Sequence, residues 1–201
     1  MILELFFDLA SPYAYLALMR MAVHPRAADV QWHPLDGEQV KRAAGNVGPS
    51  LRHTPAKLRY VRQDVARWAR RMDVPFSSVA SCAPAPRLNR GTFYAADCGC
   101  VSQYLQLAGR RIWGHAADPD ADDVLRSVAA DMDWDAREFL AFVGSPAASA
   151  RSAGSFARAR RVGVFGVPTA VVGERLWWGN DRLHLAEAAW LAAQPEEVHR
   201  G

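Results

Sequence analysis

The order of strand and helix signals along the chain of 201 residues predicts an α/β protein. Its first part reads strand, helix, strand within about 35 residues, which is the spacing of a βαβ unit with a parallel pair of strands. Its last part reads strand, strand, helix. Between them the sequence is rich in alanine and arginine, has helical periodicity and contains no convincing strand. These observations predict one domain formed by residues 1–37 and 158–201, with residues 38–157 inserted as a helical domain.

The N-terminal unit begins with residues 2–7, an apolar run with one charge that is typical of a buried strand. Ser11-Pro12 follows, and serine at a helix cap with proline in the first turn is a strong start signal. This helix is expected to end near His24-Pro25. A second strand is then predicted at residues 30–35.

The middle of the chain predicts several helices. Residues 54–72 and 94–113 each read as one long helix, and shorter helices are expected at 120–130 and 135–142, where acidic residues near the start suit the helix dipole. The first long helix carries a continuous apolar stripe. That stripe consists of Leu58, Val61, Val65, Trp68 and Ala69.

The C-terminal part opens with a strand at 167–173, which a turn at Gly173-Glu174 joins to Leu176-Trp177-Trp178. The two strands are expected to form an antiparallel hairpin. Gly179-Asn180-Asp181 then begins a final helix. The whole order is that of a thioredoxin-like fold with an all-helical domain inserted between the βαβ and ββα halves.

Composition narrows the class of protein. No apolar run approaches the roughly 18–20 residues needed to span a bilayer. The N-terminus has neither a basic region nor a small-residue cleavage site, so a signal peptide is not expected and the cytoplasm is the default location. Three cysteines, at positions 82, 98 and 100, make a poor disulfide framework.

The net charge of +3 comes mainly from arginine, because lysine occurs only at positions 41 and 57. The arginines at 62, 67, 70 and 71 raise the question of nucleic-acid binding. No aromatic interleaving or nucleic-acid motif accompanies them, so a solvated helix face is expected instead.

Ser11 is the first candidate site residue. It follows a buried strand and lies at the positive end of a helix, where free N–H groups and the helix dipole stabilise an anion. A serine hydroxyl there can donate a hydrogen bond to a thiolate and lower the pKa of that thiol. The alternative is a serine that only caps the helix.

Like Ser11, three other segments have both a structural and a functional interpretation. Pro168 opens a strand, and in thioredoxin-like folds a cis-proline at this place leaves the backbone of the preceding residue, Val167, free to pair with an extended peptide. The segment Trp178-Gly179-Asn180-Asp181 is either an ordinary helix cap or a site where Asp181 accepts an ammonium group. A glycine-rich loop with Lys41, Arg42 and Arg52 has donors suited to carboxylates and phenols.

Together these segments resemble one family closely. The matching motifs are Phe-Asp-x-x-Ser-Pro-Tyr-x-Tyr-Leu at 7–16, Val-Lys-x-x-x-Gly-Asn-Val-Gly-Pro-Ser at 40–50, Asp-x-x-Arg-Trp-Ala at 64–69, Val-Phe-Gly-Val-Pro-Thr at 164–169 and Trp-Trp-Gly-Asn-Asp-Arg-Leu at 177–183. They are similar to 2-hydroxychromene-2-carboxylate isomerases, relatives of kappa-class glutathione transferases among DsbA-like proteins. The likeness runs nearly end to end. It departs from the family at Leu51 and at 83–85, which leaves open whether the substrate has one ring or several.

The resemblance implies a glutathione-dependent isomerase of aromatic hydrocarbon catabolism, such as naphthalene degradation, with a small aromatic carboxylate as substrate. It implies that Ser11 activates the glutathione sulfur. It further implies that glutathione is bound by Val167, Trp178, Gly179, Asn180 and Asp181. Lys41, Asn46 and Arg52 match the substrate side of the site. A homodimer is implied, without a nucleic-acid or membrane partner.

Two alternative functions remain. One is a kappa-like glutathione transferase or peroxidase, and the other is a non-catalytic thioredoxin-like binding module. A disulfide oxidoreductase is disfavoured, because the position of a Cys-x-x-Cys pair reads Ser-Pro-Tyr-Ala at 11–14. Cys98-Gly99-Cys100 lacks a second pair of ligands, so buried structural thiols are expected and no metal site is predicted.

Overall fold

A mixed four-stranded sheet carries the two β-containing halves of the chain in one layer. The computed structural model describes residues 1–46, 55–80 and 83–193. The strands are β1 (Leu3–Phe7), β2 (Val30–Pro34), β3 (Thr169–Val172) and β4 (Arg175–Trp178), in the spatial order β2-β1-β3-β4. β1 runs parallel to β2 and antiparallel to β3, and β3 forms the predicted hairpin with β4. The predicted thioredoxin-like fold is confirmed.

The helices fall into two groups. α1 (Pro12–Met21) joins β1 to β2, and α9 (Leu183–Ala192) follows the hairpin. The others lie between β2 and β3. They are α2 (Gly37–Ala43), α3 (Pro55–Arg71), α4 (Pro86–Asp97), α5 (Val101–Gly109), α6 (Asp122–Asp131), α7 (Ala136–Val143) and α8 (Pro146–Arg161). The helices expected at 54–72, 120–130 and 135–142 are therefore present.

The prediction of a single helix over 94–113 is wrong. α4 ends at Asp97, and Gly99 adopts a φ of 71° before α5 begins at Val101. Glycine reaches this left-handed region without steric cost, which is why it commonly ends helices. α5 is then followed by a π-helical turn at Arg110–Gly114. α1 also ends at Met21, somewhat before the predicted end near His24.

The larger of two apolar clusters runs from the sheet into the middle helices, and hydrogen bonds cross it. The indole of Trp113 donates to the carbonyl of Leu9 at 2.9 Å, and the hydroxyl of Tyr15 donates to the carbonyl of Pro75 at 2.5 Å. Both bonds join the end of β1 or the start of α1 to the helical segment. They fix the turn between β1 and α1, where Ser11 lies, against that segment.

An ion cluster is built into the same sheet. Glu4 on β1 is buried and accepts two hydrogen bonds from the guanidinium of Arg158 on α8. His33 on β2 places its Nε2 atom 3.1 Å from the same carboxylate. The Arg158 guanidinium lowers the pKa of Glu4, while burial lowers the pKa of His33.

Both shifts predict loss of stability in acid. A lowered folded-state pKa means that the unfolded chain takes up the proton first, so stability present at neutral pH is lost below about pH 6.5 for His33 and below about 4.3 for Glu4. Urea unfolding between about pH 7 and pH 3.5 measures this slope. Glu4→Gln is expected to lower stability at pH 7 and to flatten the stability profile below about pH 4.3, whereas Glu174→Gln on the surface leaves both unchanged. A wild-type slope below about pH 4.3 in Glu4→Gln contradicts this account.

The arginine-rich part of α3 is exposed as predicted, and its apolar stripe faces the core. Arg62, Arg67 and Arg70 are exposed, whereas Val61 and Val65 are buried. Within the described ranges, no helix is long and apolar enough to cross a membrane.

Candidate active site

Ser11 caps α1 at the carboxyl end of β1. Its Oγ accepts a hydrogen bond from the Ala14 N–H at 3.3 Å, its own N–H donates to the Asp8 carbonyl at 2.9 Å, and Pro12 takes the first helical position. Since Oγ is an acceptor inside the protein, the hydroxyl hydrogen remains available for an anion outside it. Ser11 is half-buried, so this hydrogen faces a site that a ligand can reach.

Asp8 lies directly below the Ser11 turn, and sequence reasoning did not select it. Its Oδ1 accepts from the Ala10 N–H at 2.9 Å and from Asn89 Nδ2 at 2.8 Å, and its Oδ2 accepts from the Gly37 N–H at 3.0 Å. Burial raises the pKa of this carboxyl, and the three N–H donors oppose that shift. Asp8 thus joins the Ser11 turn to α2 and α4.

Asn89 completes the connection from α4. Its Oδ1 accepts from the Leu9 N–H at 3.0 Å, and its Nδ2 donates to the Leu35 carbonyl at 3.0 Å as well as to Asp8. One amide therefore bridges the carboxyl ends of β1 and β2. Asp8 and Asn89 act as positioning residues, since they hold the turn that presents Ser11.

Asn89→Ala is expected to reduce the free energy of unfolding by about 2–3 kcal/mol, because it leaves buried N–H and C=O groups without partners. Urea denaturation with an unchanged m-value measures this loss. Ser127→Ala is a suitable control, because the Ser127 hydroxyl donates only to the nearby Val124 carbonyl, and its effect should stay within about 0.5 kcal/mol. Equal stability of both variants contradicts the bridging role.

The expected cis bond is present between Val167 and Pro168. The Thr169 hydroxyl donates to the Gly166 carbonyl at 2.8 Å, and the Gly179 N–H donates to the Pro168 carbonyl at 2.9 Å, so the segment is held from both sides. Among the described residues, no backbone group pairs with the N–H or C=O of Val167. These two groups are the free edge that an extended peptide requires.

A cavity of about 350 Å³ lies beside this edge and the first turn of α1. Tyr13 forms one side of it, and its hydroxyl donates to Asp64 Oδ2 on α3 at 2.9 Å. Burial and the Asp64 carboxylate raise the pKa of the Tyr13 phenol, so it remains protonated. The remaining lining residues are Tyr60, Trp68, Val167, Pro168, Trp178, Gly179, Asn180, Asp181 and Arg182. Aromatic walls from α3 thus face the polar turn after β4.

The turn after β4 supplies a carboxylate at the mouth of the cavity. Gly179 has a φ of 104°, and a Cβ there would lie 2.4 Å from Asp181 Oδ1, so glycine is required for the turn to close. The Asp181 carboxylate pairs with Arg182 at 3.0 Å and remains 49% exposed, so a ligand can reach it. Trp178 is 48% exposed, whereas Trp177 is half-buried against the core.

The glutathione-side candidates Val167, Trp178, Gly179, Asn180 and Asp181 line this one cavity, whereas Ser11 is not among its lining residues. Lys41 lies in the last turn of α2, with its Nζ 3.1 Å from Glu38 Oε1, and not in the loop where the sequence predicted it. Asn46 follows that helix and is exposed. Neither residue lines the cavity. Arg52 lies outside the described residues.

The cysteine prediction needs correction. Cys98 is exposed and Cys100 is half-buried, because both lie at the turn between α4 and α5 rather than inside a helix. Burial raises the pKa of the Cys100 thiol, so it is a poor nucleophile at neutral pH. Cys82 lies outside the described residues. Within the described ranges, no group of three or more histidine, cysteine, aspartate or glutamate side chains is placed to hold a metal.

Comparison with known proteins places this geometry in a family. Residues 2–190 match the model of the DsbA-like thioredoxin domain. The 2-hydroxychromene-2-carboxylate isomerase of Pseudomonas putida is 34% identical over 191 residues, which cover 94% of each chain. That of Sphingobium xenophagum is also 34% identical, over 94% of this chain and 97% of its own. The chain belongs to the 2-hydroxychromene-2-carboxylate isomerase family.

Solved structures agree with this family. A 2-hydroxychromene-2-carboxylate isomerase structure, 34% identical, superposes with a TM-score of 0.88 over 96% of this chain and 95% of its own. The cytosolic disulfide reductase DsbM of Pseudomonas aeruginosa, solved with GSH, has a TM-score of 0.62 over 96% of each chain at 22% identity, which shows the shared fold alone. The family resemblance predicted from the motifs is confirmed.

Proposed function

We propose that this chain is a glutathione-dependent isomerase that interconverts 2-hydroxychromene-2-carboxylate, or a polycyclic analogue, with the open trans-o-hydroxybenzylidenepyruvate form. The relatives named above support the reaction. The observation that supports glutathione as cofactor is the Ser11 hydroxyl at the N-terminus of α1, whose hydrogen has no acceptor within the described ranges. That position favours an anion, and a thiolate is the anion this reaction needs.

The residues that line the cavity beside the first turn of α1 fit glutathione. The N–H and C=O of Val167, which have no backbone partner in the described part of the chain, suit the backbone of its cysteinyl residue. The exposed carboxylate of Asp181 suits the ammonium of its γ-glutamyl group, and the backbone N–H groups of the turn at Asn180–Arg182 suit the neighbouring carboxylate. These groups lie on the cavity that Tyr13 and Trp178 also line.

Glutathione, when bound, supplies a nucleophilic thiol that adds reversibly to the conjugated double bond and so permits rotation about it. Ser11 would donate a hydrogen bond to the thiolate sulfur and keep its proton, and the helix dipole would add to this stabilisation, which lowers the pKa of the thiol. Tyr60, Trp68 and Trp178 give aromatic surfaces against which a flat ring can pack. Lys41, Asn46 and Arg52 are proposed to bind the substrate carboxylate and the developing enolate oxygen.

We further propose a cytoplasmic homodimer. The described cysteines Cys98 and Cys100 are unpaired, in keeping with a reducing compartment. Light scattering on the purified protein tests the dimer.

The deciding experiment follows the ultraviolet spectrum of the chromene with glutathione, without it, and with S-methylglutathione, which keeps the tripeptide but lacks the thiol. Turnover is expected only with the free thiol, and the total thiol concentration should stay constant. Full turnover without glutathione overturns the proposal. Steady consumption of thiol indicates a transferase instead, and binding of glutathione without any turnover indicates a binding module.

A further inference from the structure

Tyr13 lines the cavity beside the first turn of α1, and the proposed reaction has not yet given its hydroxyl a role. It is the second residue of α1 and is half-buried. Its hydroxyl donates to Asp64 Oδ2 at 2.9 Å, so the side chain joins α1 to α3. Besides burial and Asp64, the nearby groups of Tyr60 and Asp181 raise the pKa of this phenol. The hydroxyl therefore lies within electrostatic reach of two walls of the cavity, α3 and the turn after β4.

The Asp64 carboxylate fixes the direction of this hydrogen bond. A carboxylate accepts hydrogen bonds and donates none, so the Tyr13 hydrogen is committed to Asp64. Arg67 donates to the other carboxylate oxygen, Oδ1, at 3.2 Å and so holds the carboxylate from the opposite side. The Tyr13 oxygen keeps a lone pair, and no group in the described ranges donates to it. Toward a ligand in the cavity, Tyr13 is thus an acceptor.

The proposed substrate has a donor that requires such an acceptor. Its open form carries a phenol hydroxyl ortho to the pyruvate side chain. Lys41 and Arg52, proposed for the substrate carboxylate and the enolate oxygen, can only donate. Asp181 is proposed for the ammonium of glutathione, and Asp64 is already bound on both oxygens. A phenol hydroxyl removed from water without an acceptor costs free energy, so the Tyr13 oxygen is the group that suits it.

We propose, on the basis of the isomerase function proposed above, that Tyr13 determines specificity for the ortho hydroxyl of the open substrate by accepting its hydrogen bond. Asp64 is then a positioning residue, because it commits the tyrosine hydrogen and leaves the oxygen to accept. In the closed chromene the same substrate oxygen belongs to the ring and carries no hydrogen. The contact is therefore made with the open form alone, and a compound without the ortho hydroxyl loses it.

Three ligands separate a donor from an acceptor at the ortho position. They are trans-o-hydroxybenzylidenepyruvate, its o-methoxy ether, which accepts but cannot donate, and trans-benzylidenepyruvate, which does neither. Each is titrated by calorimetry into the whole protein loaded with S-methylglutathione, which prevents turnover, at about pH 6.5, where a phenol keeps its hydrogen. Wild type is expected to bind the hydroxy compound about 5–10-fold more tightly than either of the other two.

Tyr13→Phe removes the acceptor and keeps the ring. It should weaken the hydroxy compound by about 5–10-fold and leave the unsubstituted compound unchanged, a difference that general disturbance of the cavity would not produce. Tyr60→Phe is the matched control, because Tyr60 lines the same cavity, is exposed and lies on α3. It should keep the wild-type preference for the hydroxy compound.

Asp64→Asn tests the positioning role. Arg67 should hold the amide oxygen as it holds Oδ1, which turns the amide N–H group toward Tyr13. The tyrosine oxygen then accepts from the amide, and its hydrogen is released toward the cavity. The o-methoxy compound should therefore gain affinity relative to the hydroxy compound in this variant, whereas an unchanged ratio means that Asp64 does not set the direction.

Equal affinity of wild type for the hydroxy and methoxy compounds overturns the proposal, because Tyr13 then donates to the ligand. So does a hydroxyl preference that survives in Tyr13→Phe, or one that Tyr60→Phe removes equally. The chromene assay with glutathione distinguishes this failure from failure of the isomerase function. Turnover by a wild type that lacks the hydroxyl preference refutes the role of Tyr13 alone, whereas absence of both turnover and binding refutes the isomerase function with it.

Discussion

Ser11→Ala is expected to lower kcat by ~10–1,000-fold, as for the loss of one donor to a developing or stabilised anion. Ser11 Oγ accepts from the Ala14 N–H, and its hydroxyl hydrogen has no acceptor among the residues that the structure describes. Without that donor the glutathione thiol should have a higher pKa, so the rising limb of the pH–rate profile should move to higher pH. Glutathione KM should change little, because Val167 and Asp181 are unaltered. Steady-state rates across pH measure both effects.

Ser145→Ala is the matched control for this variant. Ser145 caps α8 with the same Ser-Pro sequence, and its Oγ accepts from the Ala148 N–H at 3.1 Å. Removal of either cap should cost about 1 kcal/mol of stability. Only Ser11→Ala should lose turnover and shift the pH profile. Wild-type turnover in Ser11→Ala removes the serine from the mechanism, and equal losses in both variants reduce its role to that of a helix cap.

The features that were predictable from sequence are formed by residues that are close together along the chain. The βαβ unit, the hairpin and the cap at Ser11-Pro12 each occupy a short segment whose residues interact mainly with one another. The cis bond at Pro168 was expected from the thioredoxin-like fold. For these elements the local sequence pattern and the final packing favour the same structure. Such agreement makes an element predictable from its sequence.

The features that were missed depend on contacts between distant segments. Asn89 reaches Asp8 across 81 positions, and Tyr13 reaches Asp64 across 51. No pattern in either segment indicates its partner, because the pairing arises only when α3 and α4 pack against α1. The one feature of the sequence that could have indicated the Asp8–Asn89 network was the position of Asp8, at the end of a buried strand and three residues before Ser11.

The short helix α2 shows a different limit. Asp36 caps it by accepting from the Glu38 and Gln39 N–H groups, which is an ordinary start signal. Gly37 at its first position and the glycine-rich segment after it favour a loop, and seven residues are too few for helical periodicity to decide. Lys41 was therefore expected on a loop and lies instead on a helix, where Glu38 holds it one turn away.

Asp181→Asn is expected to raise the KM for glutathione by about 10-fold and to leave kcat nearly unchanged at saturation. A charge-assisted hydrogen bond to an ammonium is worth more than a neutral one, and partial exposure of Asp181 moderates the loss. The interaction is made equally before and during the reaction, so it affects binding rather than turnover. Initial rates over a range of glutathione concentrations measure the two constants.

Asp29→Asn is the control, because Asp29 forms a similar exposed pair with Arg26 at 2.8 Å, is 52% exposed and does not line the cavity. Its KM should equal that of wild type. Glutaryl-cysteinyl-glycine, which is glutathione without the α-amino group, completes a double-mutant cycle. If Asp181 binds that ammonium, Asp181→Asn should weaken glutathione but not this analogue. An equal loss with both ligands means that the variant disturbs the turn after β4, and the ammonium must then bind elsewhere.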